Sequence, residues 1–533
     1  MTVPELRPWR TAGPRGARVA DAVRPRLARF ARAAGPRVAR FARATAPRLT
    51  RITGPKTWQY TAGAATAGLA LAAGVVTAAG PWDSTGQRTA ERDRAVALEH
   101  PGGADHGRGS DATGTAAGSP RPAPSAGAVL TGLDGAPPPG GVKAPPGTTA
   151  LTDLLGPLLA DDPALGERRT AAVVDLTTGK RLYGLDPEVP LTPASTTKIA
   201  TAVAALTALG PDHRLTTRTV LEADTGEVVL VGGGDPTLTA RKDARGLASL
   251  RTLAEKTAAA LKKRNVREVT LSYDTTLYTG TETHPIGVNE NLARVTALMA
   301  DEARTDDSIS GPAPRESDPA DAAARTFAGL LKQHGVTASA PGPSKATGRA
   351  ATLATVSSPP LSALVERMLT NSDNDLAEAL ARHTAVATGK PADFDGAGAA
   401  VTARLQQLGL PVGDARFHDG SGLDRTDLIS ADLLTALLAE AAAPDRPQLR
   451  PVLTGLPVAH FTGTLSDRYT DGAAGLVRAK TGTLTGVNTL AGTVTTPDGR
   501  LLAFAFLAHG TTDAWSAQAA LDRAATSLAS PTP

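Results

Sequence analysis

A long stretch rich in proline and glycine limits where this 533-residue chain can form a folded core. Residues 82–149 contain runs such as Pro-Arg-Pro-Ala-Pro at 120–124 and Pro-Pro-Pro-Gly-Gly at 137–141. Such runs bury too little apolar surface to offset the entropy lost on ordering, which is typical of a linker. The sequence therefore predicts a disordered linker at 82–149 and a folded region at 150–530, which is long enough for a large core.

The segment at the start of the chain carries most of its positive charge. Residues 1–58 contain 13 Arg and one Lys against Glu5 and Asp21, a net charge of +12, whereas the whole chain carries +4. The excess of positive charge belongs to this arm, so we expect no nucleic-acid partner for the folded region. We interpret residues 1–58 as a basic cytoplasmic arm, which either lies on an anionic membrane surface or is a disordered tail.

An uncharged segment separates the arm from the linker. Residues 59–81 are long enough to cross the ~30 Å hydrocarbon core of a membrane, and Trp58 and Trp82 stand at the edges, where interfacial aromatics belong. The basic arm precedes this transmembrane anchor, so the positive-inside rule predicts a single-pass cell-membrane protein with its folded region outside the cell. The alternative is a signal segment cleaved after residues 76–78, which would give a secreted protein.

Strand and helix patterns alternate through the folded region. The apolar runs at 171–176 and 181–185 flank a turn and predict a hairpin. A helix is predicted from Ser195 to a stop at Gly210, two strands are predicted at 489–495 and 501–508, and a last helix at about 513–528. Strands at both ends of the region with helices between them indicate an α+β domain whose sheet draws on both ends.

Composition also excludes several chemistries. The chain has no Cys, which rules out disulfides, thiol catalysis and zinc–thiolate sites. Its nine His residues show no spacing that is typical of metal ligands. We therefore expect no metal site.

The first candidate for catalysis is Ser195-Thr196-Thr197-Lys198. On a helix, residues three apart share a face, so the Ser195 hydroxyl and the Lys198 amine can meet across one turn. A serine hydroxyl is a weak nucleophile, and a lysine can act as its base if burial lowers the pKa of the amine. Taken alone, this pattern is more often a helix cap followed by a surface lysine.

Two further short motifs carry groups suited to the same reaction. Ser372-Asp373-Asn374 offers a hydroxyl that can relay a proton and an amide that can hold a substrate carbonyl, although alone it is typical of a loop that caps a helix. The segment 480–483, Lys-Thr-Gly-Thr, stands at the head of a predicted strand. There a lysine and a threonine can bind a carboxylate, and a glycine lets a substrate approach the backbone.

Together and in this order, the three motifs are typical of penicillin-binding proteins and serine β-lactamases. Further segments match one family among them: Gly-Gly-Gly-Asp-Pro at 232–236, Asn-Ser-Asp-Asn-Asp-Leu-Ala-Glu at 371–378, Asp-Gly-Ser-Gly-Leu at 419–423 and Arg-Ala-Lys-Thr-Gly-Thr-Leu at 478–484. Over residues 150–530 the chain resembles the D-alanyl-D-alanine carboxypeptidase/endopeptidase family of class C, low-molecular-mass penicillin-binding proteins, which are serine peptidases.

The resemblance implies a serine β-lactamase/transpeptidase-like domain, an antiparallel sheet flanked by helices, with a subdomain inserted at roughly 215–345. The insertion would account for the 177 residues that separate Ser195 from Ser372. Residues 302–322, rich in Asp, Ser and Pro, are predicted as a loop within it.

The resemblance also implies a mechanism that needs no cofactor, and it implies the partners of the reaction. Ser195 would attack the bond between two D-alanines of a peptidoglycan stem peptide, with Lys198 as its base, and form an acyl-serine that β-lactam antibiotics also form as inhibitors. Ser372 would pass the proton to the leaving amine and Asn374 would hold the peptide. The terminal carboxylate would bind to residues 480–483, that is, Lys480, Thr481, Gly482 and Thr483.

Two alternatives stay open at this point. A serine β-lactamase would use the same three motifs, but the added Glu of class A enzymes, in a Glu-x-x-Leu-Asn-like segment, is absent between the first and third motifs. A catalytically silent cell-wall-binding homologue on a membrane tether is the other alternative, which the intact motifs disfavour.

Overall fold

The structure, a computed structural model, describes residues 148–470 and 472–530. The strands are β1 (Arg168–Asp175), β2 (Arg181–Leu185), β3 (Thr216–Leu221), β4 (Val228–Val231), β5 (Glu268–Val269), β6 (Leu271–Asp274), β7 (Thr337–Ala338), β8 (Gly342–Pro343), β9 (Ala351–Ser357), β10 (Val477–Leu484), β11 (Val487–Thr495) and β12 (Leu501–His509). The α-helices are α1 (Thr148–Leu155), α2 (Thr197–Leu209), α3 (Leu250–Lys262), α4 (Pro319–Gln333), α5 (Leu361–Asn371), α6 (Asn374–Ala387), α7 (Phe394–Gln407), α8 (Ala431–Ala442), α9 (Arg450–Thr454) and α10 (Ala514–Ala529).

The first sheet joins the two ends of the folded region. Its five strands lie in the order β10-β11-β12-β1-β2, and every neighbouring pair is antiparallel. Strand β1, near the start of the region, pairs with β12, near its end, over eight residues from Arg168↔His509 to Asp175↔Leu502. The predicted α+β fold with an antiparallel sheet is therefore confirmed.

Helices cover both faces of this sheet. Alternate residues of a strand point to opposite faces, and in β12 one set, Phe504 and Phe506 among them, packs with α1 and α10. The other set, Ala503, Ala505 and Leu507, packs with α2, α5, α6, α7 and α8. Because both faces are covered, β11 and β12 are buried along almost their whole length.

Helix α2 lies at the centre of the helical layer. Ten consecutive residues, from Thr197 to Leu206, are buried. A helix buried on all sides needs apolar or small residues all round, and five of these ten are alanine or valine. Because α2 is packed on all sides, the residues at its N-terminus are held in a fixed position relative to the sheet and the surrounding helices.

A second sheet is formed by the residues between the first and second motifs. Its order is β8-β6-β4-β3-β9, with β3 antiparallel to β4 and β9, and β6 parallel to β4 and β8. It shares a core with α3 and α4. We propose that these elements form the inserted subdomain that the sequence predicts at roughly 215–345, and the last strand of this sheet extends to Ser357.

One predicted loop is partly helical, and the segments predicted before the folded region lie almost wholly outside the described residues. Helix α4 begins at Pro319, so the last residues of the predicted loop 302–322 are helical. Within residues 148–470 and 472–530, no helix combines the length and the apolar character that a bilayer crossing requires. The basic arm at 1–58, the anchor at 59–81 and nearly all of the linker at 82–149 lie outside the described residues.

Candidate active site

The first motif stands where a tight turn runs into α2. Ser195 lies in a 3₁₀ turn, Ala194–Thr196, and α2 begins at the next residue. Ala194 has a left-handed backbone, with φ of 48°, which costs a residue with a side chain about 1–2 kcal/mol. Thr489 of β11 donates a hydrogen bond of 2.8 Å to the carbonyl of Pro193, so the sheet holds this strained turn in place.

Lys198 lies directly behind Ser195 and is fully buried. Its Nζ is within hydrogen-bond distance of three oxygens: Ser195 Oγ at 3.0 Å, Asn374 Oδ1 at 2.7 Å and the carbonyl of Ser421 at 2.7 Å. A neutral amine has two hydrogens and one lone pair. The amide and the carbonyl accept both hydrogens, so the lone pair of the neutral amine points at the Ser195 hydroxyl.

The environment of Lys198 favours this neutral form. Burial lowers the pKa of its amine to about 8, against the opposing attraction of nearby carboxylates, of which Asp419 is the strongest. With the pKa at about 8, about a tenth of the amines are neutral at pH 7. Lys198 can therefore act as a base near neutral pH, which an exposed lysine cannot.

The second motif lies between two helices. Ser372 ends α5 in a left-handed conformation, with φ of 57°. Asp373 then caps α6 by accepting the N–H of Leu376 at 3.0 Å, and Asn374 is the first residue of that helix. The side chain of Asn374 accepts from Lys198 and donates from Nδ2 to the carbonyl of Asn291 at 2.8 Å.

The third motif lies inside β10, at the edge of the first sheet, rather than at the head of a strand as predicted. Lys480 is fully buried, and its Nζ donates to Ser372 Oγ at 2.9 Å and to the carbonyl of Thr481 at 2.8 Å. Burial lowers the pKa of Lys480 well below its usual value, and the charge of Lys198 adds to this effect. Gly482 packs against the turn of the first motif, because a Cβ there would lie 2.7 Å from the carbonyl of Pro193.

The structure thus brings the three motifs together. Ser195, Ser372, Asn374 and Thr483 line one cavity of about 280 Å³. Lys198 and Lys480 stand behind its wall, each joined by a hydrogen bond to one of the two serines. Thr481 points toward a neighbouring segment, where its hydroxyl donates to Thr464 Oγ1 at 2.9 Å.

The sequence did not reveal the opposite wall of this cavity. This wall consists of six residues from the segment between β6 and α4: Asn291, Arg304, Ser310, Gly311, Pro312 and Arg315. Leu423 and Thr464 also line the cavity. The only sequence signal for this segment was its Asp-, Ser- and Pro-rich composition, which predicts a loop and does not indicate what the loop contacts.

Buried charges join this segment to the second motif. Glu302 forms an ion pair of 2.5 Å with Arg367 and lies beside Asp373, and Arg315 forms an ion pair of 3.0 Å with Asp375. Burial and the charge of Glu302 raise the pKa of Asp373 well above its usual value. The residues on both sides of Asn374 are thereby fixed to the segment that forms the opposite wall.

The domain combines an antiparallel sheet and helices with two serines, each hydrogen-bonded to a buried lysine. This arrangement defines a serine acyl-transferase fold of the kind found in penicillin-binding proteins and β-lactamases. The solved structure of penicillin binding protein 4 from Haemophilus influenzae shows this fold. It superimposes with a TM-score of 0.58 at 22% sequence identity, over 70% of this chain and 97% of that one.

Sequence comparison identifies the family. Residues 151–312 and 310–528 match the D-Ala-D-Ala carboxypeptidase 3 (S13) family. A carboxypeptidase of Mycobacterium tuberculosis is 36% identical over 383 residues, which cover 69% of this chain and 81% of that protein. A D-alanyl-D-alanine carboxypeptidase of an Actinomadura species is 28% identical over 431 residues, which cover 66% of this chain and 80% of that protein.

The chain therefore belongs to the S13 family of D-Ala-D-Ala carboxypeptidases, and it is a serine hydrolase. The predictions of family, fold class and enzymatic activity are confirmed. The roles of the individual residues are predictions that the comparisons do not test.

Proposed function

We propose that this protein removes the terminal D-alanine from peptidoglycan stem peptides through an acyl-serine formed on Ser195. The observation that carries the proposal is the arrangement of the Lys198 amine. Asn374 and the carbonyl of Ser421 accept its two hydrogens, so that its lone pair faces the Ser195 hydroxyl. Lys198 takes the hydroxyl proton as Ser195 Oγ bonds to the carbonyl carbon between the two D-alanines.

The negative charge that develops on the substrate carbonyl oxygen needs fixed hydrogen-bond donors. Ser195 and Thr483 line the same cavity, and we assign this task to their backbone N–H groups. Removal of one such donor typically costs ~10²–10³-fold in rate.

The leaving amine needs a proton when the peptide bond breaks. Ser372 supplies it, because its hydroxyl is in contact with Lys480 at 2.9 Å and lines the cavity with Ser195. Asn374 holds the peptide through its amide. We assign the binding of the terminal carboxylate to Lys480, Thr481 and Thr483 on the edge of β10, and the missing side chain of Gly482 leaves room for the turn that carries Ser195. Water then releases the shortened peptide and restores Ser195.

β-Lactams would be inhibitors of this reaction. A β-lactam resembles D-Ala-D-Ala and opens to an acyl-serine whose leaving group stays attached. Penicillin binding protein 4 of Haemophilus influenzae has also been solved in complex with a β-lactam, and it superimposes with a TM-score of 0.55 at 23% identity, over 71% of this chain and 98% of that one. In this chain no glutamate lines the described part of the cavity, so no side chain of the class A type stands ready to activate water for fast deacylation.

The site of action follows from the substrate. Peptidoglycan lies outside the cytoplasmic membrane, and we propose that residues 59–81 anchor the enzyme there with its catalytic domain outside the cell. The +12 charge of residues 1–58 supports this orientation. Protease added to intact cells should release the catalytic domain and leave the basic arm protected. A catalytic domain found in the medium with a new N-terminus near Ala79 would contradict a retained anchor.

Mass spectrometry of the intact protein tests the chemistry. Incubation with penicillin should add the mass of one penicillin to the wild type and nothing to Ser195→Ala. Lys198→Ala should be labelled ~10²–10⁴-fold more slowly, as expected for a lost general base. Only the wild type should remove the terminal alanine from a D-Ala-D-Ala peptide. Labelling of Ser195→Ala would disprove the assigned nucleophile, and rapid release of hydrolysed penicillin would indicate a β-lactamase.

A further inference from the structure

A buried loop lies behind the proposed general base. Residues 419–424 supply the carbonyl of Ser421, which accepts from Lys198 Nζ at 2.7 Å. Of the three oxygens around this amine, Ser421 contributes the only one that belongs to the main chain. The direction of the lysine lone pair therefore depends on how firmly the loop holds one backbone carbonyl.

The carboxylate of Asp419 accepts five hydrogen bonds, four from within that loop and one from His284. Its Oδ1 accepts the N–H groups of Ser421 at 3.0 Å and Gly422 at 2.6 Å. Its Oδ2 accepts the Ser421 hydroxyl at 3.1 Å, the N–H of Asp424 at 2.7 Å and the Nε2 hydrogen of His284 at 2.9 Å. Burial would raise the pKa of this carboxyl, but the hydrogen bond from His284 and those from the backbone lower it to about 2.

His284 reaches Asp419 from a distant part of the chain, 135 residues earlier in sequence. Its side chain is 1% exposed and that of Asp419 is not exposed at all. Its Nδ1 accepts the backbone N–H of Ile286 at 3.2 Å, which leaves the ring hydrogen on Nε2, facing Asp419. The ring is held in place by the edge of Phe394, with 5.1 Å between ring centroids.

Two other contacts fix the loop against the catalytic helix. Thr201, three residues after Lys198, donates to the carbonyl of Gly420 at 2.7 Å. Gly422 lies so close to the turn of the first motif that a Cβ on it would be 1.9 Å from the carbonyl of Ala194. The loop therefore touches both the residue before the nucleophile and the turn after the base.

We propose that Asp419 and His284 are positioning residues for the proposed general base: they hold the Ser421 carbonyl so that the lone pair of Lys198 points at Ser195. His284 acts through Asp419, because it touches neither the lysine nor the cavity. The proposal rests on the proposed function of Ser195 and Lys198. It assigns a role in catalysis to a residue from the segment between the first and second motifs.

Asp419 also acts on Lys198 through its charge, and this gives a signature that a purely structural role would not give. Asp419 exerts the largest of the attractions that stabilise the protonated lysine. The other titratable groups that face the amine are the carboxyls of Glu378, Asp373 and Asp375 and the amine of Lys480. Acylation needs the neutral amine, so it rises with pH through the pKa of Lys198. Removing the charge of Asp419 lowers that pKa and moves the acidic limb of the pH profile to lower pH.

The test measures the second-order rate of acylation by a fluorescent penicillin, per folded molecule, from pH 5 to pH 10. His284→Leu removes the donor to Asp419 and should slow acylation ~10-fold or more, as expected for a lost hydrogen bond to a charged group. The acidic limb should stay in place, because the charge of Asp419, which acts on Lys198, is kept. His284→Gln offers an amide donor and should restore most of the rate. Equal rates for His284→Leu and the wild type would overturn the proposal.

Asp419→Asn keeps the size of the side chain and removes its charge. We expect acylation to slow ~10²-fold at the rate maximum, because several of the five donors lose their acceptor, and the acidic limb to shift to lower pH. The double variant His284→Leu/Asp419→Asn should be no slower than Asp419→Asn. His284 acts through Asp419, and the effects of substitutions within one hydrogen-bond network are not additive. An unshifted limb, or losses that multiply in the double variant, would overturn the proposal.

His383→Leu is the matched control. His383 is also a buried histidine, on α6, and its Nε2 contacts the carbonyl of Gly234 at 3.3 Å, away from Lys198. This variant should lose thermal stability and keep the wild-type rate and pH profile. Failure of the underlying function is seen separately, because it would appear as no acylation of the wild type or as acylation of Ser195→Ala.

Discussion

The buried ion pair between Arg315 and Asp375 should stabilise the domain far more than an exposed pair of similar geometry. Its nitrogen and oxygen are 3.0 Å apart, and the two side chains are 5% and 2% exposed. Arg325 and Asp321 on α4 form the matched control, with 2.6 Å between charged atoms and exposures of 73% and 22%. Replacing each arginine by methionine keeps an unbranched, flexible side chain and removes the charge.

The expected magnitudes follow from burial. Removing one partner of a buried pair leaves the other charge without compensation, which typically costs about 3–5 kcal/mol. Arg315 also donates to the carbonyl of Glu302, so the loss should lie within that range rather than below it. An exposed pair one turn apart on a helix contributes only about 0.2–0.5 kcal/mol, and Arg325→Met should fall there.

The loss in Arg315→Met should depend on pH. Burial raises the pKa of Asp375 to about 6, although Arg315 opposes this effect. A carboxyl whose folded pKa lies above its unfolded value makes stability fall as pH rises between the two values. Without Arg315 the folded pKa rises further, so the fall continues to higher pH. The deficit relative to the wild type should therefore be smaller at pH 5 than at pH 8.

Urea denaturation of the wild type and both variants, followed by circular dichroism at pH 5 and pH 8, measures these differences. The double variant Arg315→Met/Asp375→Asn removes both charges and should recover part of the loss at pH 8. An Arg315→Met deficit as small as that of Arg325→Met would show that the buried pair does not fix the opposite wall of the cavity. A deficit that is equal at the two pH values would refute the electrostatic explanation.

Three further results are expected. The acylation rate of the wild type should reach half its maximum near pH 8, because burial holds the pKa of Lys198 at about 8; a midpoint above pH 10 in stopped-flow measurements would contradict this. Gly422→Ala should abolish acylation, because the residue has φ of 79° and no room beside the carbonyl of Ala194, whereas Gly409→Ala, also left-handed but in open space, should lose stability alone. Ser372→Ala should still bind penicillin but acylate ~10²-fold more slowly or worse, the effect of a lost proton relay, and a wild-type rate would disprove that role.

The parts of the site that sequence could predict are those set by local geometry. A helix places Ser195 and Lys198 on one face wherever it lies in the fold. The hairpin of β1 and β2 follows from two short apolar runs and the turn between them. Lys480 illustrates the limit, because strand β10 begins three residues before it, at Val477. Residues 477–480 alternate between apolar and polar, but Arg478 is exposed and Lys480 is buried, a difference that alternation alone does not indicate.

The opposite wall of the cavity could not be predicted, because its geometry depends on long-range contacts. Residues 302–316 form no long helix or strand, so neither the helical nor the strand periodicity of apolar residues applies to them. Their position is set by ion pairs such as Glu302–Arg367 and Arg304–Glu302. The partners of the Glu302–Arg367 pair are 65 residues apart in sequence. The pairing of His284 with Asp419 is of the same kind, since nothing local to either residue indicates its partner.

Left-handed residues with side chains lie at three points around the site. They are Ala194 before Ser195, Ser372 in the second motif, and the run from Asp301 to Ala303 beside it. Each costs about 1–2 kcal/mol and persists only where the surroundings leave the backbone no alternative. Around Ala194 those surroundings are β11 and Gly482, and beside Ser372 they are the capped helix α6 and Lys480. At residues 301–303 they include the ion pairs of Glu302. The same contacts that place the proposed reacting groups therefore also hold the strained backbone, so substitutions that loosen these contacts should affect activity before they unfold the domain.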